Sequence, residues 1–208
     1  MTFERRLRRY LVTDASAGDV ERLVAICEAA IQGGITAVQL RAKGWGDREL
    51  LRAATELRAV CDRTGTLFIV NDRVDIALAS NADGVHLGVD DLPVGVARTL
   101  LGSGKIIGYS PETAEDRIAA EEAGVDYLGI GPVFGTQTKD DAGQALGLDK
   151  FAELAAASSV PVVGIGGISV DDARSVVEAG AVGVAVVGAV FLANDPRAAA
   201  KELAAQLP

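Results

Sequence analysis

About eight times along the chain, a short apolar run is followed by a polar turn and then by apolar residues spaced three and four apart. The first run spans residues 10–12. After it, Asp19 can cap a helix in which Leu23, Val24, Ile26, Cys27, Ala30 and Ile31 recur until Gly33-Gly34 stops it. Runs at 37–40, 67–70, 84–87, 106–109, 127–130, 162–165 and 183–187 repeat the pattern. Helices are predicted over 47–61, 74–80, 94–101, 113–123, 148–157 and 170–179, with a helical tail to the end. Short unbroken Val/Ile/Leu strands alternating with helices describe a parallel sheet buried on both faces. Eight such units match the number that closes a (β/α)8 TIM barrel, an α/β fold. With 208 residues there is little room for an inserted domain, so one domain over 1–208 is expected.

An open doubly wound sheet is the competing architecture. It calls for a glycine fingerprint after the first strand, whereas that strand ends in Val12-Thr13-Asp14. The glycines come late instead, in Gly164-Ile165-Gly166-Gly167 and after Val187 in Gly188. Following the seventh and eighth strands, they stand where barrels bind phosphate through backbone N–H groups.

Composition narrows the partners. The net charge of -9 leaves no broad basic face for a nucleic-acid backbone, so an anionic ligand needs a local cluster of cations. No apolar run approaches the ~18 residues of a membrane span, and the arginine-rich start lacks the apolar core of a secretory signal. A cytoplasmic protein acting on small molecules is expected, with no nucleic acid and no membrane, and self-association into a homo-oligomer left open. Cys27 and Cys61 fall in helical segments and read as small apolar residues.

Residues at the carboxyl ends of barrel strands share one face. The stretch from Phe68 to Asp91 reaches that face twice, an apolar run leading into Asn71-Asp72 and a second into Asp90-Asp91. The other strand ends bring Gln39, Arg41, Lys43, His86 and Ser110, and the long polar connection 131–147 brings Thr136, Thr138 and Lys139. Arginine offers a fork for phosphate oxygens and lysine a point charge, while carboxylates in such company suggest a bridging Mg²⁺. With one histidine and no cysteine at a strand end, no nucleophilic triad is visible. Each residue also has a plainer duty. Asp72 can cap the following helix, His86 can be a hydrogen-bonded packing residue, and the basic residues can snorkel from a strand end. The length of 131–147 argues for a lid over 135–145 that closes on ligand, with Trp45 packed beside the mouth.

Taken in order, Tyr10-Leu-Val-Thr-Asp14, Val38-Gln-Leu-Arg-Ala-Lys43, Asn71-Asp72-Arg73, Gly84-Val-His-Leu-Gly88 with Asp91, Gly129-Ile-Gly-Pro-Val-Phe134, Thr136-Gln-Thr-Lys139 and Gly164-Ile-Gly-Gly-Ile168 resemble the thiamine phosphate synthase family nearly end to end. The resemblance implies a transferase of thiamine biosynthesis with the barrel fold, joining hydroxymethylpyrimidine diphosphate to a thiazole phosphate and releasing diphosphate. It implies Mg²⁺ on Asp72 and Asp91, and Gln39, Arg41, Lys43, Asn71 and Lys139 on the pyrimidine diphosphate. Ser110 would meet the diphosphate or its leaving oxygen. Thr136 and Thr138 would contact the thiazole phosphate, and Gly167, Val187 and Gly188 would cradle it. Arg41, Lys43, Ser110 and Lys139 would carry the catalysis. Spacing alone does not choose between Asp90 and Asp91; the resemblance selects Asp91. Two departures stand out: Gly188 where the family often has Ser, and Pro111-Glu112 where a His often follows. A thiazole-tautomerase-like isomerase would use a His in that region, so Glu112 makes that alternative weaker, and neither it nor a noncatalytic phosphate-binding relative needs Asp72 and Asp91 together with three phosphate-directed cations.

Overall fold

The structure, a computed structural model, describes residues 2–135 and 143–207. Every predicted apolar run is a strand: β1 (Arg9–Val12), β2 (Ala37–Leu40), β3 (Leu67–Asn71), β4 (Gly84–Leu87), β5 (Ile106–Tyr109), β6 (Tyr127–Ile130), β7 (Val162–Ile165) and β8 (Gly183–Val186). They pair in sequence order, all parallel, and β8 returns to β1 with Leu11 opposite Val186, so the sheet closes into a barrel. The helices are α1 (Phe3–Arg6), α2 (Val20–Gln32), α3 (Asp47–Thr64), α4 (Val74–Ala79), α5 (Val94–Leu101), α6 (Ala114–Glu122), α7 (Gly147–Ala156), α8 (Ala173–Glu178) and α9 (Pro196–Gln206). Among the described residues none is long and apolar enough to cross a membrane.

The start signals read from the sequence act as expected. Asp19 accepts from the Arg22 N–H at 2.7 Å, and Thr113 with Asp116 forms a capping box at α6. Two boundaries differ from expectation. α3 runs past 61 to Thr64, because the residue able to stop it in a left-handed conformation is Gly65, at φ 69°. α8 begins at Ala173 rather than 170; residues 170–172 form a turn, across which Ser169 and Asp172 hydrogen-bond to each other and to each other's backbone N–H groups.

Alternation along each strand divides the apolar residues between two cores. One set, including Leu11, Val38, Leu40, Phe68, Val70, Val85 and Leu128, faces the helices. The other, including Tyr10, Val12, Ala37, Leu67, Ile69, Tyr127, Val163 and Ala185, fills the barrel axis. At the end away from the strands' carboxyl termini, Leu7 is fully buried and Phe3 meets Tyr127 edge-on at 6.3 Å, so α1 plugs the axis. The basic start is used within the fold: Arg8 donates to the Val182 carbonyl and Arg9 to those of Gly34 and Leu207. Cys27 and Cys61 are buried.

Two aspartates just before strands clamp that same end. Asp83, preceding β4, accepts from the Phe68 N–H of β3 at 2.8 Å and from Arg58 at 3.1 Å. Asp126, preceding β6, accepts from the Ile107 N–H of β5 at 2.7 Å and from Arg98 at 2.6 Å. Each carboxylate satisfies a strand donor and a cation together. Asp83→Ala is expected to lower the unfolding free energy by about 2–3 kcal/mol, leaving a buried N–H and a largely buried guanidinium short of a partner. Asp62→Ala, at the exposed arm of the same Arg58, should cost less than ~0.5 kcal/mol. Urea titration of the two variants measures the difference.

Candidate active site

At the carboxyl ends of the strands lies a cavity of about 1110 Å³. Its walls include Gln39, Arg41 and Lys43 from β2 and its loop, Asn71 and Asp72 from the end of β3, and Asp91 after β4. Ser110 follows β5, Gly167 follows β7, and Val187 and Gly188 follow β8. All the expected site residues among those described therefore meet at one opening. Thr136, Thr138 and Lys139, with most of the expected lid, lie outside the described residues. Arg117 and Lys150 also line the cavity without having been anticipated, but each is engaged with a carboxylate of its own helix, Glu121 at 2.8 Å and Glu153 at 2.7 Å.

The acid pair is the most constrained part of the site. Asp72 extends the β3–β4 pairing by donating its N–H to the His86 carbonyl at 2.8 Å, then turns left-handed at φ 62°. Aspartate tolerates that region better than most residues, and its use where glycine would be easier marks the side chain as needed. The capping duty does not apply: α4 has Arg73 at its cap position and no side-chain cap bond. Asp91 is fixed by accepting from the Gly88 N–H at 2.7 Å, whereas Asp90 is exposed. Geometry thus separates the two acids that spacing left equivalent.

Burial, the largest cause, and the neighbouring Asp91 carboxyl push the Asp72 carboxyl up to about 6, while Lys43 and Arg41 pull against the shift. Both cations therefore act on the same carboxylate. Among the described residues no group of three or more His, Cys, Asp or Glu is placed to enclose a metal. Two hard carboxylates held together, with a deficit of positive charge between them, fit Mg²⁺, which takes one or two protein carboxylates and completes its shell with phosphate oxygens and water.

Of the two cations, Arg41 is anchored through its backbone. Thr13, fully buried, accepts from the Arg41 N–H and donates to the Arg41 carbonyl, each at 2.9 Å, and Asp14 stands 3.9 Å from the guanidinium. Lys43 is exposed at the rim. Across the mouth, Gly166 and Gly167 have φ of 91° and 68°, and a Cβ on Gly167 would lie 2.5 Å from the Gly135 carbonyl oxygen. Here glycine is required twice, by conformation and by closeness. Gly188 is different, since a Cβ there meets nothing within 4 Å.

Beneath the cavity runs a chain of polar side chains. The Gln39 Nε2 donates to the Tyr10 hydroxyl at 3.0 Å, and the Tyr10 and Tyr127 hydroxyls are 2.8 Å apart. His86 Nδ1 lies 2.9 Å from the Tyr127 hydroxyl and its Nε2 2.8 Å from the Ser110 Oγ. His86 is thus a hydrogen-bonded packing residue, as its plainer reading held. Tyr10 and Tyr127 were missed by reasoning from strand ends, because they sit one layer down. Their signal was a phenol inside an otherwise aliphatic run, where a buried hydroxyl must find a partner.

The raised Asp72 carboxyl sets a sign for pH. A carboxyl raised from 3.8 to about 6 by folding costs stability in its ionised form. That cost is absent at low pH, grows as pH rises through the window between these values, and persists above it. Asp72→Asn removes it, and asparagine also tolerates the left-handed backbone. In metal-free buffer near neutral pH the variant should melt about 2–4 °C above the parent, taking the effect as ~1 kcal/mol after solvent screening. The gain should fade toward about pH 4, and differential scanning calorimetry across that range reads it.

Comparison with known proteins agrees with this geometry. Residues 9–190 match the family described as thiamine monophosphate synthase. The chain is 50% identical over 195 residues to a thiamine-phosphate synthase of Laribacter hongkongensis, covering 93% of this chain and 92% of that one. It is 48% identical over 198 residues to the thiamine-phosphate synthase of Chloroflexus aurantiacus, covering 95% and 91%. Among solved structures, a thiamine phosphate pyrophosphorylase from Pyrococcus furiosus superposes with a TM-score of 0.89 at 38% identity, covering 99% of this chain and 98% of that one.

Proposed function

This chain belongs to the thiamine monophosphate synthase family, and from that premise we propose that it joins hydroxymethylpyrimidine diphosphate to a thiazole phosphate, forming thiamine phosphate and releasing diphosphate. The observation that carries the reading is the Asp72–Asp91 pair beside Arg41 and Lys43. Carboxylates alone would repel a diphosphate. Carboxylates with a divalent cation and two positive side chains beside them bind one.

Asp72 and Asp91 would hold Mg²⁺, which when bound offsets the charge of the diphosphate. The bond between the pyrimidine methylene and the diphosphate oxygen breaks with its electron pair leaving on oxygen. Arg41, positioned through Thr13, and Lys43 meet the charge that develops there, with Lys139 in the same role. Such interactions strengthen as the bond stretches, so they lower the barrier rather than merely tightening binding. Ser110 adds a hydroxyl donor to the diphosphate, and Gln39 and Asn71 orient the pyrimidine end.

The carbocation left behind is stabilised by the electron-rich aminopyrimidine and is captured by the thiazole nitrogen, whose lone pair forms the new C–N bond. No protein nucleophile takes part. The thiazole phosphate is held by the backbone N–H groups of Gly167 and Gly188, beside Val187, with Thr136 and Thr138 supplying hydroxyls. An isomerase reading gains nothing from a carboxylate pair, and Glu112, exposed at the rim, donates its backbone N–H to the Asp116 carboxylate at 3.3 Å.

The decisive assay mixes protein, pyrimidine diphosphate, thiazole phosphate and Mg²⁺ and follows diphosphate release coupled to thiamine phosphate. Absence of both products would sink the reading. Asp72→Ala and Asp91→Ala should each lower turnover by at least about a hundredfold, whereas Asp90→Ala should stay within about twofold. Equal losses at Asp90 and Asp91 would overturn the assignment.

Gly188→Ser is expected to lower KM for the thiazole phosphate by about threefold to tenfold, with kcat unchanged. The cavity has room for the side chain, and one added hydrogen bond contributes ~0.5–1.5 kcal/mol net. Steady-state kinetics with the pyrimidine substrate saturating would show it.

A further inference from the structure

The barrel interior spends five residues on a polar chain where aliphatic side chains would pack with no need of partners. Space was made for it. A Cβ on Gly108 would lie 2.1 Å from Cζ of Tyr127, and one on Gly129 would lie 3.1 Å from both His86 Cε1 and Ser110 Oγ. Neither glycine has a positive φ, so these positions need glycine for room and not for backbone conformation. Tyr10 and Tyr127 are 1% and 0% exposed, and burial raises both phenols well above their usual range, so each keeps its single proton.

One proton per hydroxyl gives the chain a direction. The Gln39 Nε2 is a donor and has no lone pair to offer, so the Tyr10 O–H cannot point at it. Tyr10 therefore donates to Tyr127, the other oxygen within reach at 2.8 Å. Tyr127, having accepted, donates to His86 Nδ1 at 2.9 Å. A neutral imidazole that accepts at Nδ1 carries its proton at Nε2, and that N–H donates to the Ser110 Oγ at 2.8 Å. The Ser110 oxygen is thereby occupied as an acceptor from below, and its own proton is left to point into the cavity that Ser110 lines. The reverse arrangement would set an O–H against an N–H in the dry interior.

We propose that Gln39, Tyr10, Tyr127 and His86 form a one-way hydrogen-bond relay that holds the Ser110 hydroxyl as a donor toward an anionic oxygen bound in the cavity. Tyr10, Tyr127 and His86 are positioning residues, acting through Ser110. That the oxygen belongs to the departing diphosphate rests on the synthase reading above. The direction of the relay does not.

The sequence contains one histidine, so 15N-histidine labelling of the full chain, without a polyhistidine tag, reports one imidazole. Near neutral pH and without ligand, the expected spectrum is that of the Nε2–H tautomer. An Nδ1–H tautomer or an imidazolium would overturn the relay. Gln39→Glu replaces the donor at the Tyr10 hydroxyl by an acceptor of the same shape, and should reverse the chain and move the proton to Nδ1. An unchanged tautomer in that variant would also refute the proposal.

For the link to turnover, Tyr127→Phe should lower kcat by about tenfold to a hundredfold, with KM for the thiazole phosphate changed by less than about twofold. Ser110→Ala should match it, and the double variant should lose no more than either alone. Full kcat in Tyr127→Phe would overturn the aiming of Ser110. A parent with the expected tautomer but no synthase activity would instead remove the functional reading and leave the relay standing.

Discussion

Closing eight parallel strands into a barrel forces every second strand residue onto the axis, and this protein is organised by what it puts there. Toward the α1 end the axis is apolar, filled by Leu7, Leu67 and Val163 with Phe3 against Tyr127. One layer up, the hydroxyls of Tyr10 and Tyr127 meet. At the mouth, the same inward-facing series on β2, β3 and β4 reaches Gln39, Asn71 and His86. Polarity thus rises along the axis in steps the strand pleat dictates. Each polar layer is satisfied by the one above or below it, which is what makes a buried hydroxyl or imidazole tolerable.

The two ends of the barrel use charge in opposite ways. At the closed end, Asp83 and Asp126 each meet a strand N–H and an arginine, so their charges are balanced and add to stability. At the open end, Asp72 and Asp91 are neighbours, and the charges of Lys43 and Arg41 pull against the rise in the Asp72 carboxyl. A fold selected for stability alone would not keep that pair. Its persistence, together with a left-handed backbone at Asp72, fits the tendency of functional sites to hold unfavourable arrangements that the surrounding structure over-determines. An overall charge of -9 does not prevent anion binding here, because the field at the mouth is set by groups within a few ångströms rather than by the sum.

Much of the molecule was legible because two periodicities dominate it. Continuous apolar runs separated by helical spacing located all eight strands, and capping residues such as Asp19 and Thr113 located helix starts. The larger departures came at helix ends, where Gly65 rather than the apolar pattern stops α3 and a turn over 170–172 precedes α8. At the mouth, strand-end reasoning brought Gln39, Arg41, Lys43, Asn71, Asp72, Asp91 and Ser110 to one opening, as the cavity lining has them, because parallel connectivity places all such ends on one face. It overlooked Tyr10 and Tyr127 because it asked only about the rim.

Sequence by itself determined the order of elements, the closure of the barrel and the composition of its mouth, since these depend on hydrophobic period and connectivity, which are local properties. Spacing left open which acid pairs with Asp72; the family resemblance selected Asp91, and only the tertiary structure supplied the physical reason. Asp90 and Asp91 are neighbours in the chain, and the choice follows from the Gly88 N–H that fixes Asp91 and from the φ that turns Asp72 toward it. It also decided what His86 does. A residue's hydrogen-bond direction depends on partners contributed by β1, β2, β5 and β6, from Tyr10 to Tyr127, and nothing along β4 itself contains that information.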